Sequence, residues 1–281
     1  MNFAVSNIAW KSDERLAAYA ALAAQDVRGL EIAPGLLFDG AEDVFVPDEA
    51  LAQERLSEVA DAGLSLVSMQ SLLFGVEGAA LFEGEAALAR LVTGMKRAID
   101  LAGRFEIPNL VFGSPKQRVI PEAMTRTQAT DHAEVVFQQL GDYAASAGTT
   151  IGMEANPAVY GTNFLTHAEA AAEFVRNLDH PAIKMVFDVG TMHLNDAFDQ
   201  STNLIAEHAP ILSHVHISEP YLEPAPAQAE TAATILHALG SVKYDHWVSI
   251  EMKAAPENRV DQMSQAVQRL RNADEMAKRV S

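Results

Sequence analysis

Short aliphatic runs alternate with alanine-rich helical stretches along the whole chain, and this alternation limits the fold more than any other feature. The strand candidates are Phe3–Ala9, Gly29–Ile32, Ser65–Met69, Asn109–Phe112, Thr150–Met153, Lys184–Phe187, Leu212–Ile217 and Trp247–Met252. Helices are expected near 12–24, 48–62, 86–104, 121–147, 167–177, 200–208, 228–239 and 257–279. Ser12-Asp13-Glu14 has the composition of a helix start, and Gly148 that of a stop. Leu88, Leu91, Val92, Met95 and Ala98 recur at i, i+3, i+4 spacing, which puts them on one helical face. Regular β–α alternation predicts parallel strands with helices outside them. Eight units of about 35 residues fit closure into a (β/α)₈ TIM barrel of the α/β class. An open dinucleotide-binding sheet shares the alternation but carries GxGxxG after its first strand, and this chain does not. With no linker or low-complexity tract, residues 1–281 are expected to form a single domain.

Composition removes several classes of function. The 38 acidic against 20 basic side chains give a formal charge of −18, which repels a phosphate backbone and argues against a nucleic-acid partner. There is no cysteine, so disulfide scaffolds, zinc–thiolate sites and thiol nucleophiles are excluded. The segment MNFAVSNIAWKSDER has no basic start followed by an apolar stretch. No run approaches the ~20 apolar residues of a membrane span. A cytoplasmic protein without a membrane partner is expected, and a homo-oligomer is left open.

Chemistry is concentrated in the second half. Four strands end in a ligand-type side chain: Glu154 in IGMEANP, Asp188 in KMVFDVG, His216 in LSHVHISE and Glu251 in WVSIEMK. The separations of 34, 28 and 35 residues are close to one βα unit. Each ligand is therefore expected near the C-terminal end of a successive strand, the face on which barrel active sites form. A carboxylate after a buried strand is costly unless paired or metal-bound. Three carboxylates and an imidazole make a hard, oxygen-rich set suited to one divalent ion, Mn²⁺ or Mg²⁺, with Co²⁺ or Zn²⁺ as further options.

Residues two apart on a strand face the same way, which adds Asn156 beside Glu154, Lys253 beside Glu251 and His214 beside His216. His214 suits either a support for a metal-bound carboxylate or a satisfied interior histidine. Lys253 suits a substrate oxyanion or an ion pair with a loop carboxylate. His193, in the loop after Asp188, is placed to touch substrate. Glu31 in LEIAPG, Gln70 in SMQSLLFG and Ser114 in FGSPK fall at or near earlier strand ends, as candidate hydroxyl-binding groups. Histidines 132, 167, 180, 208, 237 and 246 fall on helices or helix ends and read as solvated.

With Glu, Asp, His and Glu in this order, the chain resembles the sugar isomerase/epimerase superfamily with the xylose-isomerase-like barrel. That group includes ketose 3-epimerases, hydroxypyruvate isomerases and inosose dehydratases. The segment HVHISE resembles the family pattern in which the second histidine binds metal, which selects His216 over His214. The resemblance implies that Glu154 and Glu251 are ligands that also act as the acid/base pair. It further implies a metal-dependent isomerase or epimerase that moves a proton beside the carbonyl of a small carbohydrate through an enediolate.

Two positions depart from the ketose 3-epimerase pattern: Thr191 stands where a histidine is usual and Leu222 where an arginine is usual. Both family residues help bind a free ketose. The departures leave room for a keto-glycoside, a cyclitol, a sugar acid or a phosphorylated sugar. Pro220–Pro226 follows strand seven as a stiff loop or a substrate wall. The same site would also serve a dehydratase or lyase, because proton abstraction comes first in both. An endonuclease IV-like nuclease is disfavoured by the charge and by the absence of histidine before His132. A non-catalytic barrel is disfavoured by the four ligand positions.

Overall fold

The computed structural model describes residues 1–280. Its strands are β1 (Asn2–Ser6), β2 (Gly29–Ile32), β3 (Ser65–Met69), β4 (Asn109–Phe112), β5 (Thr150–Glu154), β6 (Ile183–Asp188), β7 (Leu212–Ser218) and β8 (Trp247–Glu251). They follow one another in chain order as a closed parallel barrel, as the alternation predicts. The helices are α1 (Arg15–Ala24), α2 (Pro34–Leu37), α3 (Glu49–Asp61), α4 (Glu85–Arg104), α5 (Arg126–Ser146), α6 (Ala168–Leu178), α7 (Val189–Leu194), α8 (Ser201–His208), α9 (Ala229–Ser241) and α10 (Arg259–Val280). Among the described residues, no helix is long and apolar enough to cross a membrane.

Some departures from the expected elements have a local side-chain cause. β1 stops at Ser6, three residues early, because Asn7 substitutes a side chain for the backbone ladder. Its Oδ1 accepts from the Ala33 amide at 2.7 Å, and its Nδ2 donates to the Ala33 carbonyl at 3.3 Å. The helix expected from 121 begins at Arg126, because Thr125 caps it and Gln128 returns a bond to the Thr125 amide, a reciprocal capping box. The short helix α7 was not expected; Asp188 caps it by accepting from the Thr191 amide. His180 and His208, read as solvated, are buried. Nδ1 of His180 accepts from the Ala182 amide at 3.1 Å, and its Nε2 lies 3.3 Å from Asp142 on α5, where Gly141 leaves room for the ring.

The chain divides into two compact units. One comprises Met1–Val67, Phe187–Pro210 and the chain from His214 onward; the other comprises Ser68–Val186 and Ile211–Ser213. In the first, β1 pairs with β2 (Ala4 opposite Gly29) and with β8 (Phe3 opposite Val248), while β7 pairs with β8 (His216 opposite Ser249). Gly29 is required there, since a Cβ would lie 2.6 Å from that of Ala4 and 2.7 Å from the Trp247 ring. In the second, β4 pairs with β5 and β5 with β6, with Glu154 opposite Val186. Edge-on aromatic pairs join its strand, helices and loops. Ring centroids are 4.9 Å apart for Phe112 and Phe137, 5.9 Å for Phe137 and Phe174, and 5.2 Å for Phe82 and Phe164.

Candidate metal centre

Strand alternation places His214, His216 and Ser218 on one face of β7, and all three are buried. His216 has two differently engaged ring nitrogens. Its Nε2 lies 3.1 Å from Oε2 of Glu31, and its Nδ1 lies 3.3 Å from Oε2 of Glu251 and 4.0 Å from Oδ2 of Asp188. His214 also presents Nε2 to Glu31, at 3.0 Å. Burial alone would push the Glu31 carboxyl up. The charge of His216 and the close approach of both imidazoles overcome this and hold it well below the usual carboxylate range. An ionised carboxylate only accepts, so Nε2 of His216 carries a proton towards Glu31, and Nδ1 is the ring nitrogen that faces Asp188 and Glu251.

Asp188 is fixed at both oxygens. Oδ1 accepts from the Thr191 amide, and Oδ2 accepts from the Ser218 hydroxyl. The Ser218 oxygen in turn accepts from the Gly190 amide at 2.8 Å, which directs its proton towards Asp188. Gly190 permits this approach, because a Cβ there would lie 3.0 Å from both Ser218 Oγ and the Glu219 carbonyl. Ligand atoms of Asp188, His216 and Glu251 lie within 4.8 Å of one another. Two carboxylates and an imidazole nitrogen, converging in a buried setting, fit a divalent cation of the hard to borderline kind.

The second unit holds the other carboxylate of interest. Glu154 is buried at the end of β5, and its Oε2 accepts from Nδ2 of Asn156 at 2.9 Å. Asn156 Oδ1 accepts in turn from Nη2 of Arg118 at 2.9 Å, and the same Nη2 donates to the Glu154 carbonyl at 2.8 Å. Arg118 has no solvent exposure and lies over the Phe112 ring, its guanidinium carbon 5.9 Å from the centroid. Desolvation pulls its pKa down to about 10 against the opposing charge of Glu154, so it remains cationic at neutral pH. Gly113 clears the space: a Cβ there would lie 2.6 Å from Glu154 Oε2.

The remaining expected site residues have varied settings. Glu31, expected to meet substrate hydroxyls, is fully buried against His214 and His216. Lys253 is exposed and forms an ion pair with Glu223, and its Nζ also lies 3.4 Å from the Tyr221 carbonyl. His193 belongs to α7 and stacks flat on Phe198, with centroids 4.5 Å apart and planes at 3°. Gln70 is buried just beyond β3. Ser114, at φ 42° and ψ 55°, takes the left-handed conformation that leads into the turn Pro115–Arg118. Arg118 and Ser218 were not singled out from the sequence. Ser218 shares the two-residue alternation of His214 and His216, a signal that would have found it. Arg118 in SPKQR looks like any surface cation.

The family model described as xylose isomerase-like TIM barrel matches residues 20–273. No curated protein matches the sequence. Among solved structures, the chain is similar to a 3-keto-D-glucoside 4-epimerase from E. coli, with 16% identity, a TM-score of 0.76, and coverage of 97% of this chain and 99% of that one. It is similar to an L-ribulose 3-epimerase at 18% identity, a TM-score of 0.75 and coverage of 99% and 95%. It is also similar to a D-allulose 3-epimerase from Methylomonas sp. solved with D-allulose, at 19% identity, a TM-score of 0.69 and coverage of 99% and 93%. At such identities the likeness establishes the fold, and the family match over most of the chain establishes the lineage: this chain belongs to the xylose isomerase-like TIM barrels.

Proposed function

We propose that this protein is a divalent-metal-dependent epimerase or isomerase of a small keto-sugar or keto-sugar derivative, with residues 1–281 acting as one catalytic domain. The observation that carries the reading is the convergence of Asp188, His216 and Glu251, with His216 held by Glu31 so that Nδ1 faces the two carboxylates. These three side chains are the proposed ligands. Glu154 is the fourth, on the strength of its place at the end of β5 and the Glu–Asp–His–Glu order of strands β5 to β8. Mn²⁺ or Mg²⁺ suits this set best. When bound, the ion supplies Lewis-acid polarisation of the substrate carbonyl and its neighbouring hydroxyl.

The chain's own residues then account for the proton chemistry. A C–H beside a carbonyl is a weak acid, so epimerisation needs one base to remove the proton and an acid to return it on the opposite side. Glu154 and Glu251 are the proposed pair, because they come from non-adjacent strands. Asn156 and Arg118 hold Glu154; Glu31 holds His216; Ser218 and the Thr191 amide hold Asp188. Gln70, Ser114, His193 and, through its ion pair with Glu223, the Lys253 arm are proposed to contact substrate. Thr191 and Leu222, which replace a histidine and an arginine common among ketose 3-epimerases, favour a substrate other than a simple free ketohexose. The 3-keto-D-glucoside 4-epimerase among the similar structures supports placing keto-glycosides on the panel.

The test is product analysis on ketohexoses, keto-glycosides and keto-inositols, with chelated and with Mn²⁺-reloaded protein. Epimerised or isomerised product that disappears on chelation and returns with Mn²⁺ is expected. A dehydrated or cleaved product would move the protein to the lyases, and full activity in metal-free protein would end the metal-dependent reading.

A further inference from the structure

Arg118 is the largest side chain in the structure with essentially no exposure, and a buried guanidinium must be matched by acceptors to be tolerated. Its Nε and Nη1 have no hydrogen-bond partner among the described residues, so both of its hydrogen bonds come from Nη2. That nitrogen donates to the Glu154 carbonyl at 2.8 Å and to Asn156 Oδ1 at 2.9 Å. A guanidinium has no acceptor, so the atom of Asn156 facing it must be the amide oxygen. The opposite end of the same amide, Nδ2, therefore points at Glu154 Oε2, 2.9 Å away, and at the Ala155 carbonyl, 3.1 Å away. The torsion that turns an asparagine amide is broad and roughly two-fold, so nothing within Asn156 itself selects this orientation. Arg118 selects it. The turn that carries Arg118 is pinned independently, since its carbonyl accepts from Thr162 Oγ1 at 3.3 Å and the preceding Gln117 carbonyl accepts from the Leu81 amide at 2.7 Å.

We infer that Arg118 is a positioning residue for the catalytic carboxylate: acting through Asn156, it fixes the plane in which Glu154 meets the metal ion. The inference rests on the proposed role of Glu154 as a ligand. Second partners of this kind typically change metal affinity by about 10–100-fold.

Mn²⁺ affinity of the chelator-stripped full-length protein, measured by titration calorimetry well below the melting temperature, provides a readout that needs no substrate. Arg118→Met and Asn156→Ala are each expected to weaken Mn²⁺ binding by about 10–100-fold. Because both act on one hydrogen-bond path, the double variant is expected to lose no more than about twofold beyond the weaker single variant, rather than the product of the two losses. Glu154→Ala should weaken binding at least as much as either. Wild-type affinity in Arg118→Met, or losses that multiply, would overturn the inference. If Arg118→Met does not fold, Arg118→Lys replaces it in the same cycle, under the same two criteria. Glu154→Ala with unchanged affinity would remove Glu154 from the ligand set and take the inference with it. Weakening in Glu154→Ala alone would leave the ligand assignment standing and overturn only the role of Arg118.

Discussion

The two compact units hold their proposed ligands with opposite charges. In the unit that contains β7 and β8, a buried anion, Glu31, sits against the imidazoles of His214 and His216. In the unit that contains β4 and β5, a buried cation, Arg118, reaches Glu154 through Asn156. The difference follows from the ligand type. An imidazole must be told which nitrogen carries its proton, and an acceptor facing one nitrogen does that. A carboxylate has no tautomer to choose and needs donors to fix its plane. A small residue makes room in each case, but a Cβ on Gly113 would lie closer to its carboxylate than one on Gly190 would to the Ser218 hydroxyl.

Loss of a proposed ligand should break the first unit's centre outright. Asp188→Ala and His216→Ala are expected to remain folded, judged by circular dichroism, and to lose Mn²⁺ affinity beyond the ~100-fold typical of a supporting partner. Retained Mn²⁺ in either variant would show that the ion is held elsewhere. Next in size are Glu154→Gln and Glu251→Gln. Turnover should fall on the order of 10²–10⁴ while much of the metal affinity remains, since an amide oxygen still coordinates. A Glu154→Gln variant of normal turnover would leave Glu154 a ligand at most.

The glycines sharpen the comparison. Gly113→Ala places a Cβ 2.6 Å from Glu154 Oε2, whereas Gly190→Ala places one 3.0 Å from Ser218 Oγ. Mn²⁺ affinity should therefore fall more in Gly113→Ala than in Gly190→Ala; the reverse order would mean that the Ser218–Asp188 contact is the less forgiving one. The smallest effect lies away from the site, where Arg15 pairs with Glu58 through Nε and Nη2, both at 2.7 Å. The hydrogen bond from Arg15 holds the Glu58 carboxyl below its usual value. Its folded-state pKa is lowered, so its stabilisation is present above the ordinary carboxylate range and is lost as pH falls through the lowered value. Arg15→Met should cost about 1 kcal/mol at neutral pH in urea unfolding, with a smaller difference in acid. A pH-independent difference would assign the loss to packing.

The sequence was most legible where apolar runs are bounded by residues that stop them. Gly29–Ile32, Ser65–Met69 and Asn109–Phe112 appear with the expected limits, because buried parallel strands are nearly all apolar and little else competes. The convergence of Asp188, His216 and Glu251 was legible for the same reason: an acid or histidine at the end of such a run has no ordinary place to go. Supporting residues were not. Glu31 was expected to face substrate, and only the tertiary structure shows that two imidazoles from β7 enclose it. Arg118 lies in a proline- and lysine-containing turn, and its burial depends on Phe112, Asn156 and Glu154, which are remote from it or ordinary in sequence. Asn7 ended β1 early through a side-chain pairing that no periodicity registers.

Isotope exchange during turnover tests the central claim, that Glu154 and Glu251 move a proton beside a carbonyl. With a keto-sugar from the active panel, Mn²⁺-loaded enzyme and D₂O as solvent, nuclear magnetic resonance of the product should show deuterium at the carbon that is reprotonated. Complete retention of the substrate hydrogen at that carbon would contradict the account, since it requires hydride transfer and leaves both glutamates as ligands only.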